Sequence, residues 1–214
     1  IKKNDIYNAY TFDDERDRIT DDLRNTGYYY FNRNYIQYVV DSNFMKHQMK
    51  VNLVINDVKK QDKDTPGEFT EENHRRYFIN NVTVIPEFNP LNKSKFDTTF
   101  HTINFWNDTN NYTYYFLNNS KKHLLPSAFN SALKIKPGQV YSAKKVQTTY
   151  RKLFNFLIIQ TAHISFDTAN TPKSNLPNHH YLNSRIQLKD SKLNRFSTEV
   201  EGTNSSGDLG IRGN

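Results

Sequence analysis

The chain has 214 residues, a formal net charge of +7 and no Cys; 36% of its residues are hydrophobic, and 15 Phe and 14 Tyr are prominent among them. The lack of Cys excludes a disulfide framework and a thiolate zinc site, and no run approaches the roughly 18 apolar residues of a membrane-spanning helix. The positive charge is scattered in pairs such as Lys59-Lys60, Arg75-Arg76, Lys121-Lys122 and Lys144-Lys145, without the continuous stripe that tracks a phosphate backbone, so nucleic acid is not an expected partner.

Burial has to lean on aromatic rings rather than aliphatic layers, and the length suits one large domain or two small ones. Two are expected, because the chain repeats itself. Ile6-Tyr7-Asn8-Ala9 and Val140-Tyr141-Ser142-Ala143 each place an Asn or Ser after an apolar-Tyr pair, where it accepts from the exposed N–H groups of a helix start. The first helix runs through TFDDERDRITDDLRNTG, with Phe12, Ile19 and Leu23 on one face and Gly27 at its end. Tyr28 to Asp41 and Met49 to Ile55 follow as strands rich in β-formers and are expected to pair as a hairpin. Lys59 to Asn73, almost wholly polar and holding Pro66-Gly67, reads as a loop or domain boundary, with the join near His74.

Arg75 to Pro86 opens the second copy as a strand carrying Phe78, Val82 and Val84, and Pro86 ends it. Asp97 to Asn119, with Phe105, Trp106, Tyr112, Tyr114, Tyr115 and Phe116, suggests an inserted hairpin turning around Asp108 to Asn111. A short helix over Pro126 to Lys134 precedes Lys136-Pro-Gly138. The second long helix has Val146, Tyr150, Leu153 and Phe154 as its apolar face, and the run from Phe156 to Ile159 turns toward strand. Thr161 to Phe166 and Tyr181 to Leu188 repeat the two-strand arrangement, joined by a loop with Pro172 and Pro177. From Arg195 the chain alternates like a strand and then stops at Asn214, as a piece of a longer protein would; no leader opens it at Ile1, and a removed N-terminus is expected.

Three stretches carry a family resemblance. ERDRITDDLRNTGYYYFNRNYIQYVVDS (15–42) resembles the helix-end and strand of Bacteroidetes outer-membrane assembly proteins of the BamA and TamA type. KPGQVYSAKKVQTTYRKLFNF (136–156) is similar to the start of the second helix in the last polypeptide-transport-associated (POTRA) domain before their barrel. EVEGTNSSGDLGIRGN (199–214) is similar to their passage into the first barrel strand. The resemblance implies an α+β chain of tandem POTRA domains, each strand, helix, helix, strand, strand. Residues 1–74 would be the C-terminal part of one, 75–190 the membrane-proximal one with an inserted hairpin, and 191–214 the linker and first strand of an outer-membrane β-barrel. The first domain departs from the pattern, since it lacks its opening strand and first helix.

The resemblance also implies a role: the strand after the second helix lies at the sheet edge, where unpaired N–H and C=O groups take up an extended chain. The partners would be unfolded outer-membrane β-barrel proteins, periplasmic accessory proteins or lipoproteins, and the outer membrane itself, on its periplasmic side. The residues expected along these edges are Tyr29, Phe31, Tyr35, Gln37 and Tyr38 in the first copy and Thr161, His163 and Ser165 in the second; the alternative for the tyrosines is packing on their own helices. Arg75 and Arg76 stand at the joint between copies, where they would pair with acids across it or simply be solvated.

No cofactor, metal or catalytic residue is expected. His163 and the adjacent His179-His180 have no completing ligand set, the acids between Asp13 and Asp22 interleave with Arg16, Arg18 and Arg24 as a charged helix face, and no nucleophile elbow or phosphate loop occurs. Two alternatives remain: an exporter dedicated to one polypeptide partner, and a basic protein whose Tyr and Phe rings stack on nucleic-acid bases.

Overall fold

The computed structural model describes residues 6, 8–45, 48–62, 65, 67–86, 88, 97–104, 111–118, 126–169, 180–190, 200–205 and 208–213. Among these, the elements in chain order are α1 (Ala9–Asn25), β1 (Ile36–Met45), β2 (Gln48–Ile55), β3 (Val58–Gln61), β4 (Phe69–Glu72), β5 (Tyr77–Ile85), β6 (Asp97–Asn104), β7 (Asn111–Asn118), α2 (Ala143–Phe154), β8 (Ile159–Thr168), β9 (His180–Asp190), β10 (Val200–Ser205) and β11 (Asp208–Gly213). The class is α+β. A five-stranded sheet runs in the order β6-β7-β5-β9-β8, and three two-stranded ribbons pair β1 with β2, β3 with β4 and β10 with β11.

The five-stranded sheet is mixed. β5 lies parallel to both β7 and β9, while β6 and β8 close the two sides antiparallel to β7 and β9. On β5, Tyr77 and Ile79 are buried, and so are Val82 and Val84. A change of parity between them would send one pair to the wrong face, and a register shift between Ile79 and Asn81 corrects it. Asn80, the residue at that shift, donates from Nδ2 to Asn183 Oδ1 at 2.8 Å. β9 needs no such correction: Leu182, Ser184, Ile186 and Leu188 alternate inward along its length.

One face of the sheet is covered by α2 and by the chain from Phe129 to Tyr141. Phe129, Ala132, Leu133, Ile135, Tyr141 and Leu153 pack there on Tyr114, Phe116 and the inward residues of β5 and β9. The buried Thr149 of α2 ties this cover together, donating to Lys145 O at 2.8 Å and accepting from the Lys134 N–H at 3.1 Å. The side of β5 turned away from β9 is shared: β7 takes it at Thr83 and Val84, while residues 138–141 take it at Tyr77 and Ile79, through Ile79 N–H to Gln139 O at 2.8 Å and Tyr141 N–H to Tyr77 O at 3.0 Å. β5 is therefore flanked on both sides. Within the five-stranded sheet, among the described residues, β6 and β8 are the edge strands, each with one neighbour.

Both long helices begin where their caps predict. Asn8 Oδ1 accepts from the Tyr10 N–H at 3.0 Å, and Ser142 Oγ accepts from the Lys145 N–H at 3.4 Å. α2 has a second cap from the other end of the chain, because Asn25 Oδ1 takes the Lys144 N–H at 2.7 Å and the Ser142 hydroxyl at 3.2 Å. The end of α1 is thus joined to the start of α2.

Several expectations need correction. Tyr28 to Tyr35 is not strand: Tyr29 N–H bonds Gly27 O and Phe31 N–H bonds Tyr28 O as tight turns, Asn32 Oδ1 accepts from the Asn34 N–H to start a single 3₁₀ turn, and extended pairing begins at Ile36. The aromatic run reads as strand because β-preference is a packing preference, and here the rings find their packing in turns. The polar stretch before His74 is not loop alone, since β3 and β4 form a hairpin within it, with Lys59 opposite Glu71 and Lys60 Nζ 3.2 Å from Glu72. Opposite charges across a ladder favour that pairing without apolar alternation.

Pro126 to Lys134 holds one 3₁₀ turn, Pro126–Phe129, rather than a helix, and the Lys134 N–H goes to Thr149 instead of continuing a helical ladder. Phe154 is not on the buried face of α2; it is 52% exposed while its neighbour Leu153 is fully buried. Where one terminal strand is expected, there are two, β10 and β11, paired antiparallel from Val200 with Gly213 to Ser205 with Asp208. Ser206-Gly207 lies between them in sequence, and Gly is favoured in short hairpin connections. Of the expected hairpin, Phe105, Trp106 and 107–110 lie outside the described residues, as do the loop with Pro172 and Pro177, His179, and residues 191–199, while Asn111, expected in the turn, already opens β7.

Candidate functional site

β8 combines three properties: it ends the main sheet, it runs beside α2, and its register fixes which backbone groups face outward. The pairs run from Thr161 with Lys189 to Thr168 with Leu182, and Ala169 N–H donates to Tyr181 O at 2.9 Å. In an antiparallel ladder bonded and non-bonded pairs alternate, so Thr161, His163, Ser165 and Asp167 spend their backbone groups on β9. Those of Ala162, Ile164, Phe166 and Thr168 turn to the open side. The Ile164 N–H shows that direction independently, since it donates to the Tyr150 hydroxyl of α2 at 2.7 Å.

The side chains follow the other alternation. Ile164 is buried and Ala162 and Phe166 rest against the core, whereas Thr161 and His163 are exposed and Ser165 half-buried on the opposite face. Beside the edge, Tyr150 stacks on Phe154 with ring centroids 6.4 Å apart and planes 13° from parallel. The last turn of α2 adds Arg151 and Lys152. At the far end of β8, Tyr30 Oη lies 3.3 Å from Thr168 Oγ1, and the Tyr29 ring packs 5.5 Å from Phe166 and 4.9 Å from Tyr141. What this arrangement offers chemically is a row of amide donors and acceptors beside an aromatic ledge.

The residues expected along the edges divide accordingly. Thr161, His163 and Ser165 are on β8, but they show an incoming chain their side-chain face and not their amides. Tyr29, Phe31 and Tyr35 are not on a strand. Tyr29 is half-buried between Tyr30, Tyr77, Tyr141 and Phe166, while Phe31 and Tyr35 clasp the His74 ring at 4.8 and 4.5 Å. His74 Nε2 in turn lies 2.9 Å from Asn56 O, tying the end of the β1–β2 ribbon to the start of β5. Gln37 and Tyr38 are on β1, opposite Val54 and Leu53. Gln37 is exposed, but Tyr38 turns to α1, with its ring 4.7 Å from Phe12 and under the Arg16 guanidinium at 5.3 Å. Burial pushes the hydroxyls of Tyr29, Tyr38, Tyr77 and Tyr141 above the usual phenol range, as it does for Tyr114, which donates to Ile135 O.

At the joint Arg75 meets an acid from the other side of the expected join near His74, its near neighbour Glu72 at 2.8 Å, whereas Arg76 takes a backbone carbonyl. Arg76 donates from Nε to Thr26 O at 2.7 Å and lies 5.8 Å over the Phe78 ring. The acceptor it takes at the end of α1 is a backbone carbonyl, one of those a helix end leaves without an intrahelical partner. Sequence reasoning missed the polar link of Asn25 to α2 and the Tyr77 N–H bond to Gly27 O at 2.9 Å. An Asn just before a helix-ending Thr-Gly was the available signal.

Among the described residues no three His, Cys, Asp or Glu side chains gather as a ligand set. Below the first turn of α2, a cavity lined by Ile79, Tyr141, Lys145 and Val146 measures about 10 Å³, room for about one water. Burial, helped by the Lys136 charge, pulls the Lys145 ammonium below the usual lysine range, and it donates to Gln139 Oε1 at 2.7 Å. Compared with known proteins, the chain matches no family model and no curated sequence.

Proposed function

We propose that this chain is a periplasmic POTRA module of an outer-membrane assembly factor, holding unfolded β-barrel proteins as extended strands along β8 and passing them toward a barrel. The observation that carries the reading is topological. A strand (β5) is followed by a short turn of helix, a long helix (α2) and two strands (β8, β9), and the strand directly after the long helix ends the sheet. That is the order the resemblance implies, with the inserted β6–β7 hairpin added and the first helix cut to one turn. In this reading residues 75–190 form the membrane-proximal domain and 1–74 the end of the one before. Accessory lipoproteins and the outer membrane are its further partners.

Backbone pairing suits such a client because it asks for no particular sequence, and contact at one short edge is weak enough to release. An alternating ten-residue peptide of Tyr and Thr, labelled with fluorescein, is expected to bind the full chain and to bind about tenfold or more weakly when its alternate amides are N-methylated, since several hydrogen bonds are lost. Its affinity should change little between low and physiological salt. Failure to bind, together with steeply salt-dependent binding of an oligonucleotide, would overturn the reading in favour of nucleic acid.

A further inference from the structure

We propose that the Tyr150 hydroxyl is a built-in competitor for the β8 edge, holding the Ile164 N–H that a bound strand must take and so setting how tightly clients are held. This rests on the reading of β8 as a strand-pairing edge. Ile164 stands among the outward-facing residues Ala162, Ile164, Phe166 and Thr168, with one of them on its N-terminal side and two on its C-terminal side. Its N–H is already bonded to Tyr150 at 2.7 Å. A strand adding to β8 in antiparallel or parallel fashion aims a carbonyl at this same N–H. The donor has one proton to give, so the client carbonyl and the Tyr150 hydroxyl compete for it.

The competition has two consequences. In the empty state the bond satisfies a backbone donor that would otherwise stand beside the aromatic ledge without a protein partner, which keeps the open edge from being a ready template for indiscriminate pairing. In the bound state it must be broken, and the hydroxyl returns to solvent. Tyr150 is half-buried and keeps its stacking partner Phe154, itself 52% exposed, in either state. Edge and helix together then work as a clasp that favours release over retention.

Tyr150→Phe removes the hydroxyl and keeps the ring. In the full chain, the variant is expected to bind the alternating Tyr-Thr peptide about two- to tenfold more tightly, the range of one neutral hydrogen bond. Without peptide, the Ile164 amide should exchange with deuterium faster in the variant while its β8 neighbours that bond β9 do not change. If the peptide binds the native chain but the variant holds it equally or more weakly, the competitor role is overturned and edge pairing stands. An unchanged Ile164 exchange rate would overturn the role as well. If the peptide binds neither protein, or N-methylation of its amides makes no difference, edge pairing falls and this inference falls with it.

Discussion

Gly27→Ala is expected to destabilise the protein by about 2–6 kcal/mol, more than the same change at Gly138, which should cost about 1–3 kcal/mol. Two costs add at Gly27. Its φ is +113°, a conformation that costs an L-residue about 1–3 kcal/mol. A Cβ there would also meet Arg76 Cγ at 2.7 Å and Val140 Cγ1 at 2.8 Å, and overpacking of this kind costs about 1–3 kcal/mol more. Both contacts are to atoms close to the backbone, so neither neighbour can swing aside cheaply. Gly138 has φ +78° with nothing within 4 Å of its added Cβ, so it carries the conformational cost alone. Urea unfolding of the two variants separates the terms: equal losses would show that the close approach of the α1 end to β5 and Val140 contributes nothing.

Phe129→Ala should cost about 3–5 kcal/mol, the loss typical of a buried aromatic ring. The ring is 2% exposed and sits 5.8 Å from Phe116 and 6.0 Å from Phe156, so it joins the sheet to the chain that covers it. Its backbone is only a 3₁₀ turn, which supplies little stability of its own; the ring holds the turn rather than the reverse. Phe154→Ala, on the exposed side of α2, loses only its stacking on Tyr150 and part of its burial, and is expected to cost about 1 kcal/mol. Urea midpoints measured on both variants test the contrast, and a larger loss at position 154 would contradict the packing described.

The parts of the fold legible in the sequence are those where one local signal decides. Asn8 and Ser142 mark helix starts because a side-chain acceptor there serves N–H groups that nothing else reaches, and Leu182, Ser184, Ile186 and Leu188 mark β9 by their spacing. Tyr28 to Tyr35 misled because aromatic rings satisfy their packing in a turn as well as in a strand, and only partners distant in sequence, His74, Tyr77 and Tyr141, decide between the two. The β3–β4 hairpin was hidden for a related reason: its support is cross-strand charge, not apolar period.

The candidate edge was half legible. The resemblance points to Thr161, His163 and Ser165, which do lie on β8, but side-chain direction and amide direction are separate properties of a strand. The register with β9 sets the second, so the outward amides belong to Ala162, Ile164, Phe166 and Thr168. Tyr150 reads in the sequence as one apolar position of a helix face, and nothing local indicates that its hydroxyl reaches a strand 14 residues away.

The most direct test of strand pairing at β8 is residue-by-residue amide exchange of the full chain, with and without the alternating Tyr-Thr peptide. Pairing predicts added protection at the amides of Ala162, Phe166 and Thr168, with little change at His163 and Ser165, whose N–H groups already bond β9, and none along β6 at the opposite end of the sheet. Protection at β6, or spread evenly over the exposed tyrosines with β8 unchanged, would contradict it.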